Sequence, residues 1–170
     1  MRNNARYANQ RVGIFIDVQN LYHSARNIYH GRVNYAELIK NLVDGRELIR
    51  SIAYVVKSDT AVGEASFFEA LEKAGLELRM KDLQMWADGT KKADWDVGMA
   101  VDAIRMAESL DAIILVTGDG DFIPLVEYLK WGKGTFVEVA AFGKSASSKL
   151  QEVADKFTNI ENIPKSIIRK

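Results

Sequence analysis

Short apolar runs alternate along this chain with stretches whose apolar residues recur at helical spacing. Val12 to Ile16 is a continuous apolar run ending at Asp17, which predicts a strand buried on both faces. Asn20 to Ile28 predicts a helix, and Tyr35 to Val43 a second one behind Asn34 as N-cap. Leu48 to Val56, which includes the apolar stretch Ile52 to Val56, predicts the second strand. Glu64 to Ala74 predicts a helix stopped by Gly75. Leu76 to Leu83 alternates apolar and polar residues, the pattern of a strand nearer a sheet edge. After the turn signal Asp88-Gly89, Asp94 stands as N-cap of a long helix running to about Ser109. Ala112 to Val116 predicts a strand and Phe122 to Trp131 a helix with Pro124 in its first turn. Thr135 to Phe142 predicts the last strand, followed by a helix from about Ser147 to Phe157 and a polar tail.

Strands alternating with helices imply an α/β fold: three layers, α/β/α, around a mostly parallel five-stranded sheet. Right-handed crossovers limit the topologies, and the strand order expected among them is 3-2-1-4-5. In that order the winding reverses between strands 1 and 4. Ligands of open α/β sheets bind at such a point, outside the carboxyl ends of the strands.

Carboxylates collect there. Asp17 ends strand 1, and Thr117-Gly118-Asp119-Gly120-Asp121 follows strand 4. Asp96, in the first turn of the helix that feeds strand 4, belongs at the same edge because that helix runs antiparallel to the strands. The two glycines let the backbone turn tightly. Carboxylates this close do not all ionise comfortably without a cation. Oxygen donors without sulfur or imidazole suit Mg²⁺ or Mn²⁺, which activate water and stabilise charge on a phosphoryl group. Asn20, three residues past Asp17, is placed to orient a carboxylate, a water or a phosphate oxygen. Each acid also has a plainer role open to it. Asp96 can complement the helix dipole, Asp121 can cap the helix at Phe122 and Asp119 can serve a turn. Asp17 is hardest to explain that way, since it is a charge directly after a fully apolar central strand. Asp102, six residues after Asp96, lies about 120° away round a helix and points elsewhere.

Composition narrows the setting. The 170 residues argue for one domain over 1–170, with 1–10 a flexible polar lead. The absence of cysteine excludes disulfides, zinc–thiolate sites and thiol nucleophiles and fits a cytoplasmic protein. No apolar run reaches the ~18 residues of a membrane span. Lys+Arg and Asp+Glu both number 23, so the chain is not expected to bind nucleic acid tightly through charge alone.

Four segments resemble the NYN domain family, in its LabA-like (DUF88) branch, which has the PIN-like nuclease fold. They are Gly13 to Asn20, Asp96 to Asp102, Thr117 to Val126, and Ser147-Ser148-Lys149-Leu150 with Ala154-Asp155-Lys156-Phe157. The likeness runs from about Arg11 to Asn162. It implies a Mg²⁺- or Mn²⁺-dependent ribonuclease hydrolysing phosphodiester bonds of single-stranded or structured RNA. It carries metal-binding roles to Asp17, Asp96, Asp119 and Asp121, and supporting roles to Asn20 and Asp102. Thr117 stands where a serine is common and keeps the hydroxyl. Trp95 stands where a small apolar residue is usual, which changes the rim of the site.

RNA would need cations near these acids. Lys57 follows strand 2; Lys91 and Lys92 precede the Asp96 helix. Gly143-Lys144-Ser145 follows strand 5, where backbone N–H groups can hold a phosphate; it is not a Walker A loop, because position 138 is Glu138. Arg2, Arg6 and Arg11 can trail across a strand of RNA. Trp86 and Trp95 can stack on bases or pack the elements they border. His23 and His30, with Tyr22 and Tyr29, read as a surface or partner-facing stripe. A haloacid dehalogenase would need an aspartate where Gln19 stands, and a receiver domain an acidic neighbour beside Asp17. A catalytically silent RNA-binding or regulatory protein on the same fold is the alternative to the nuclease, and homo-oligomerisation is left open.

Overall fold

The computed structural model describes residues 7–58 and 62–169. The chain enters through β1 (Arg11–Asp17) and α1 (Val18–Tyr29), then β2 (Gly31–Val33) and α2 (Tyr35–Val43). Next come β3 (Glu47–Lys57), α3 (Glu64–Lys73) and β4 (Glu77–Asp82), followed by the two-residue strands β5 (Gln84–Met85) and β6 (Lys91–Lys92). Helix α4 (Asp96–Met106) leads to β7 (Ala112–Val116), α5 (Ile123–Glu127), β8 (Phe136–Ala141), α6 (Ser148–Val153), β9 (Lys156–Asn159) and β10 (Ile167–Arg169).

The main sheet has six strands in the order β4-β3-β1-β7-β8-β9, all parallel. Its first five positions reproduce the expected order, and winding reverses between β1 and β7. Val12 to Ile16 are fully buried because both faces of β1 are covered. On one side Ile14 and Ile16 pack with Leu21 of α1, Leu38 of α2 and Leu71 of α3. On the other, Phe15 packs with Met99 of α4, Val126 of α5 and Leu150 of α6. These are the three layers the alternation implied.

The C-terminal part departs from the expectation. The helix expected to Phe157 stops at Val153, and a sixth strand, β9, follows. Asp155 causes the switch: its N–H donates to the Val137 carbonyl at 2.9 Å and its carboxylate accepts from Val137 N–H at 2.8 Å, starting a new ladder beside β8. The polar tail is not free either. Ile160, Ile163 and Ser166 are buried, and β10 pairs antiparallel with β2. The segment read as one helix from Phe122 is a 3₁₀ turn at Gly120–Phe122, then α5, then a wide π turn at Tyr128–Gly132. Among the described residues no helix is long and apolar enough to cross a membrane. Arg2 and Arg6 lie outside the described residues.

Candidate metal centre

The carboxyl ends of β1 and β7 set the geometry. Asp17 ends β1 and caps α1: its Oδ1 accepts from the Asn20 N–H at 3.2 Å, and its Oδ2 accepts from the Thr117 hydroxyl at 3.0 Å. Thr117 Oγ1 in turn accepts from the Asp119 N–H at 3.2 Å. Asn20 reaches across the gap between the strands, its Oδ1 accepting from the Gly118 N–H at 2.9 Å. Asp119 closes the turn by accepting from the Asp121 N–H at 2.9 Å. One hydrogen-bonded chain therefore locks the loop after β7 onto the start of α1. Asn20 orients that loop's backbone rather than a second carboxylate.

Gly118 and Gly120 answer to a close neighbour, not to a left-handed backbone, since neither has positive φ. A Cβ on Gly118 would stand 3.0 Å from the Ala146 Cα, and one on Gly120 3.1 Å from the Ser147 Oγ. The Ser147 N–H donates to the Gly118 carbonyl at 2.9 Å. The loop before α6 thus supports the acidic loop from behind, a contact that sequence reasoning missed. The Gly118 and Gly120 pair was its only trace.

Asp96, Asp119 and Asp121 each offer a carboxylate oxygen, and these three oxygens lie within 4.8 Å of one another. Asp17 lies beside them and repels both Asp96 and Asp119. Burial pushes the Asp17 carboxyl above its ordinary range, against the hydrogen bonds from Asn20 and Thr117 that favour its charge; Asp119 and Asp94 add repulsion. Asp96 is raised to about 6, first by burial and then by the charges of Asp119, Asp94, Asp17 and Asp121. None of these four acids has a lysine or arginine ion pair among the described residues.

Asp94 is not the helix cap. Trp95 holds that position, and Asp94 Oδ1 accepts from the Asp96 N–H at 3.2 Å in a turn just before α4. Trp95 packs into the fold rather than offering itself to a base. Its indole N–H donates to the Val55 carbonyl at 2.8 Å, its ring lies 5.4 Å from that of Tyr54, and Lys81 Nζ sits 4.5 Å from its centroid. Trp86 is 58% exposed at the β5–β6 turn, so it alone of the pair keeps a free face.

Asp102 is buried and turned away from the cluster, as its angle round the helix required. It accepts from the Tyr54 hydroxyl at 2.9 Å and from Arg79 Nη1 at 2.8 Å. Lys57 is exposed at the end of β3, on the same edge as the acids. Lys92 stands in β6, and its side chain lies outside the described residues. Lys144 is engaged elsewhere, 3.6 Å from Glu161 and over the Tyr29 ring. Its neighbours' N–H groups are also spent: Gly143 donates to Asn159 Oδ1 and Ser145 to the Phe142 carbonyl, so this loop has no open anion cradle. Arg11 pairs with Asp111 at the opposite end of β1, far from where RNA was expected to need it. His30 ends α1 as its left-handed C-cap, so the helical stripe of His23 and His30 does not continue.

Residues 11–161 match the sequence model of the NYN domain. The chain is 26% identical over 169 residues to the low amplitude and bright protein LabA of Synechococcus elongatus, covering 94% of this chain and 88% of that protein. It superposes with a TM-score of 0.86 on the crystal structure of VPA0982, a protein of unknown function from Vibrio parahaemolyticus. That match has 31% sequence identity and covers 95% of this chain and 98% of the other.

Proposed function

The chain belongs to the NYN domain family, and from that premise we propose that it is a metal-dependent ribonuclease whose centre is built by Asp17, Asp96, Asp119 and Asp121. One observation carries the reading: three carboxylate oxygens within 4.8 Å of one another, beside a fourth acid, with no cationic side chain to neutralise them among the described residues. An all-oxygen donor set of this charge fits Mg²⁺ or Mn²⁺. When bound, such an ion polarises a phosphoryl oxygen and lowers the pKa of water at neutral pH.

The chain's own residues do the positioning. Asp96 and Asp121 approach from opposite elements, α4 and the loop after β7. Asp119 is held by its bond to the Asp121 N–H. Asp17 is fixed by Thr117 and by the first turn of α1. Asn20 and Thr117 keep the loop at the distance from β1 that brings the acids together. Lys57, on the same edge, supplies a cation for an RNA phosphate beyond the reacting one.

The test is cleavage of labelled RNA by the purified chain in Mn²⁺ or Mg²⁺ against EDTA, with Asp17→Asn and Asp119→Asn in parallel. Metal-dependent cleavage that disappears in both variants is expected. Equal activity in wild type and variants would mean a contaminating ribonuclease. Metal binding without cleavage would favour a regulatory RNA-binding protein, a reading to which the balanced charge of the chain lends support. Loss of both cleavage and metal binding would end the proposal.

A further inference from the structure

Two neighbouring grooves leave the acidic edge along one helix. The first is a cavity of about 460 Å³ that begins at Val18 and Gln19, directly after Asp17, and is walled by Val56, Phe67 and Phe68. Tyr22 and His23 stand at its mouth, their rings edge to face at 5.7 Å. The second groove, one turn further along α1, is lined by Arg26, Asn27, His30 and Arg32, with Ile168 beside them. Tyr22 lines both. Its hydroxyl accepts from Arg26 Nη1 at 3.0 Å, so one aromatic ring and one guanidinium are fixed together at the junction. Arg26 and Arg32 are exposed and form no ion pair among the described residues. In a chain of zero net charge, two such arginines in one groove are a local surplus.

We infer that this face of α1 is a track for single-stranded RNA: the apolar cavity takes an unstacked base against Tyr22 and His23, and Arg26 and Arg32 hold the phosphates that follow it. An apolar slot with aromatic rings at its mouth suits a flat ring system. The exposed Gln19 amide at the entrance offers a donor and an acceptor to its polar edge. Alternation of aromatic stacking with cations along a groove is how single strands are held without strong sequence preference. A paired base cannot enter such a cavity without leaving its stack, which sets single strands above duplexes. Glu64, the acid on the cavity's rim, is already occupied, accepting from the Ser58 N–H with both oxygens. The inference rests on the ribonuclease reading for the polarity of the track, which starts at the acids. The binding itself needs no metal.

The experiment is fluorescence anisotropy of a labelled single-stranded RNA with the full chain in EDTA. Tyr22→Ala is expected to weaken binding by roughly tenfold or more, the usual size of one missing base–aromatic stack. Tyr22→Phe should stay close to wild type. A strand carrying one abasic position should abolish most of the difference between wild type and Tyr22→Ala. Arg26→Ala with Arg32→Ala should lower the slope of log affinity against log salt by about 1.4, at ~0.7 for each phosphate no longer neutralised. Thermal melts of the same variants keep folding separate from binding. Wild-type affinity in both Tyr22→Ala and the double arginine variant would overturn the track. Equal binding of duplex, equal competition by polyglutamate, or no binding of single-stranded RNA would do the same. If the track binds RNA but no metal supports cleavage, the ribonuclease reading fails and the track stands. If metal-dependent cleavage persists with the track variants unaffected, the reverse holds.

Discussion

Two kinds of carboxylate sit on the same sheet and have opposite surroundings. Glu138, buried in β8, is clasped by Arg46, whose Nη1 and Nη2 reach its two oxygens at 2.5 and 3.3 Å. The same guanidinium donates to Gln10 Oε1 and to the carbonyls of Leu42 and Val43. Asp102 is held comparably by Arg79 and Tyr54. At the carboxyl edge, Asp17, Asp96, Asp119 and Asp121 have only backbone N–H groups, one hydroxyl and one another among the described residues. An acid buried with its own arginine is a finished structural contact. Acids gathered without such a partner offer a divalent cation an all-oxygen set of donors. Helix α4 carries one acid of each kind, Asp96 and Asp102, so residue type alone does not separate them; the partner does.

Breaking the structural kind should produce the largest change in stability. Arg46→Met leaves Glu138 buried without its main cation, with Lys156 Nζ 4.0 Å away as its remaining ion-pair partner. A fall of about 3–5 kcal/mol is expected from urea unfolding, the usual cost of an orphaned buried charge. Adding Glu138→Leu should recover most of it, because removing both partners removes the orphan. Asp102→Asn is the gentler case. Tyr54 keeps a hydrogen-bond acceptor, and Arg79, about half exposed, returns to water. A fall of ~1–3 kcal/mol is expected, with Mn²⁺ affinity unchanged, since Asp102 faces away from the cluster. A large drop in Mn²⁺ affinity in Asp102→Asn would erase the distinction between the two kinds of acid on α4.

This distinction also explains what could be read from the sequence. The four acids were legible because strand ends and a helix start are set by apolar periodicity, and periodicity placed them on one edge. The same logic placed Asp102 away from them. What balances an acid was not legible. Nothing near Asp102 in sequence names Arg79 or Tyr54, and nothing near Glu138 names Arg46; these pairings span 23, 48 and 92 positions. Asp94 reads as the cap because an aspartate two residues before a helix offers the same side chain as one directly before it. The sixth strand was hidden because Lys156 to Asn159 is short and carries little apolar periodicity. Its start depends on Asp155 meeting Val137. The partners of two cations were hidden for the related reason that pairing is decided in three dimensions: Lys144 lies 3.6 Å from Glu161, and Arg11 pairs with Asp111.

The smallest effect on stability should come from the site itself, and its sign is the informative part. Asp96 titrates near 6 in the folded chain against 3.8 for an unperturbed aspartate. The folded state therefore holds this proton more tightly than the unfolded state between those values. On this group's account the metal-free protein loses stability as pH rises from about 4 to about 6 and stays at the lower level above it. Asp96→Asn has no such proton to lose. Its metal-free melting midpoint at pH 7.5 should equal or slightly exceed that of wild type, where Arg46→Met falls well below. With Mn²⁺ the order reverses. Wild type should gain stability that grows as pH passes through about 6 and Asp96 ionises, whereas Asp96→Asn should gain far less. Melting curves at pH 5 and pH 7.5, each with EDTA and with Mn²⁺, measure both. A variant that melts lower without metal would show that Asp96 is held by the protein after all, like Asp102, and would take it out of the proposed metal centre.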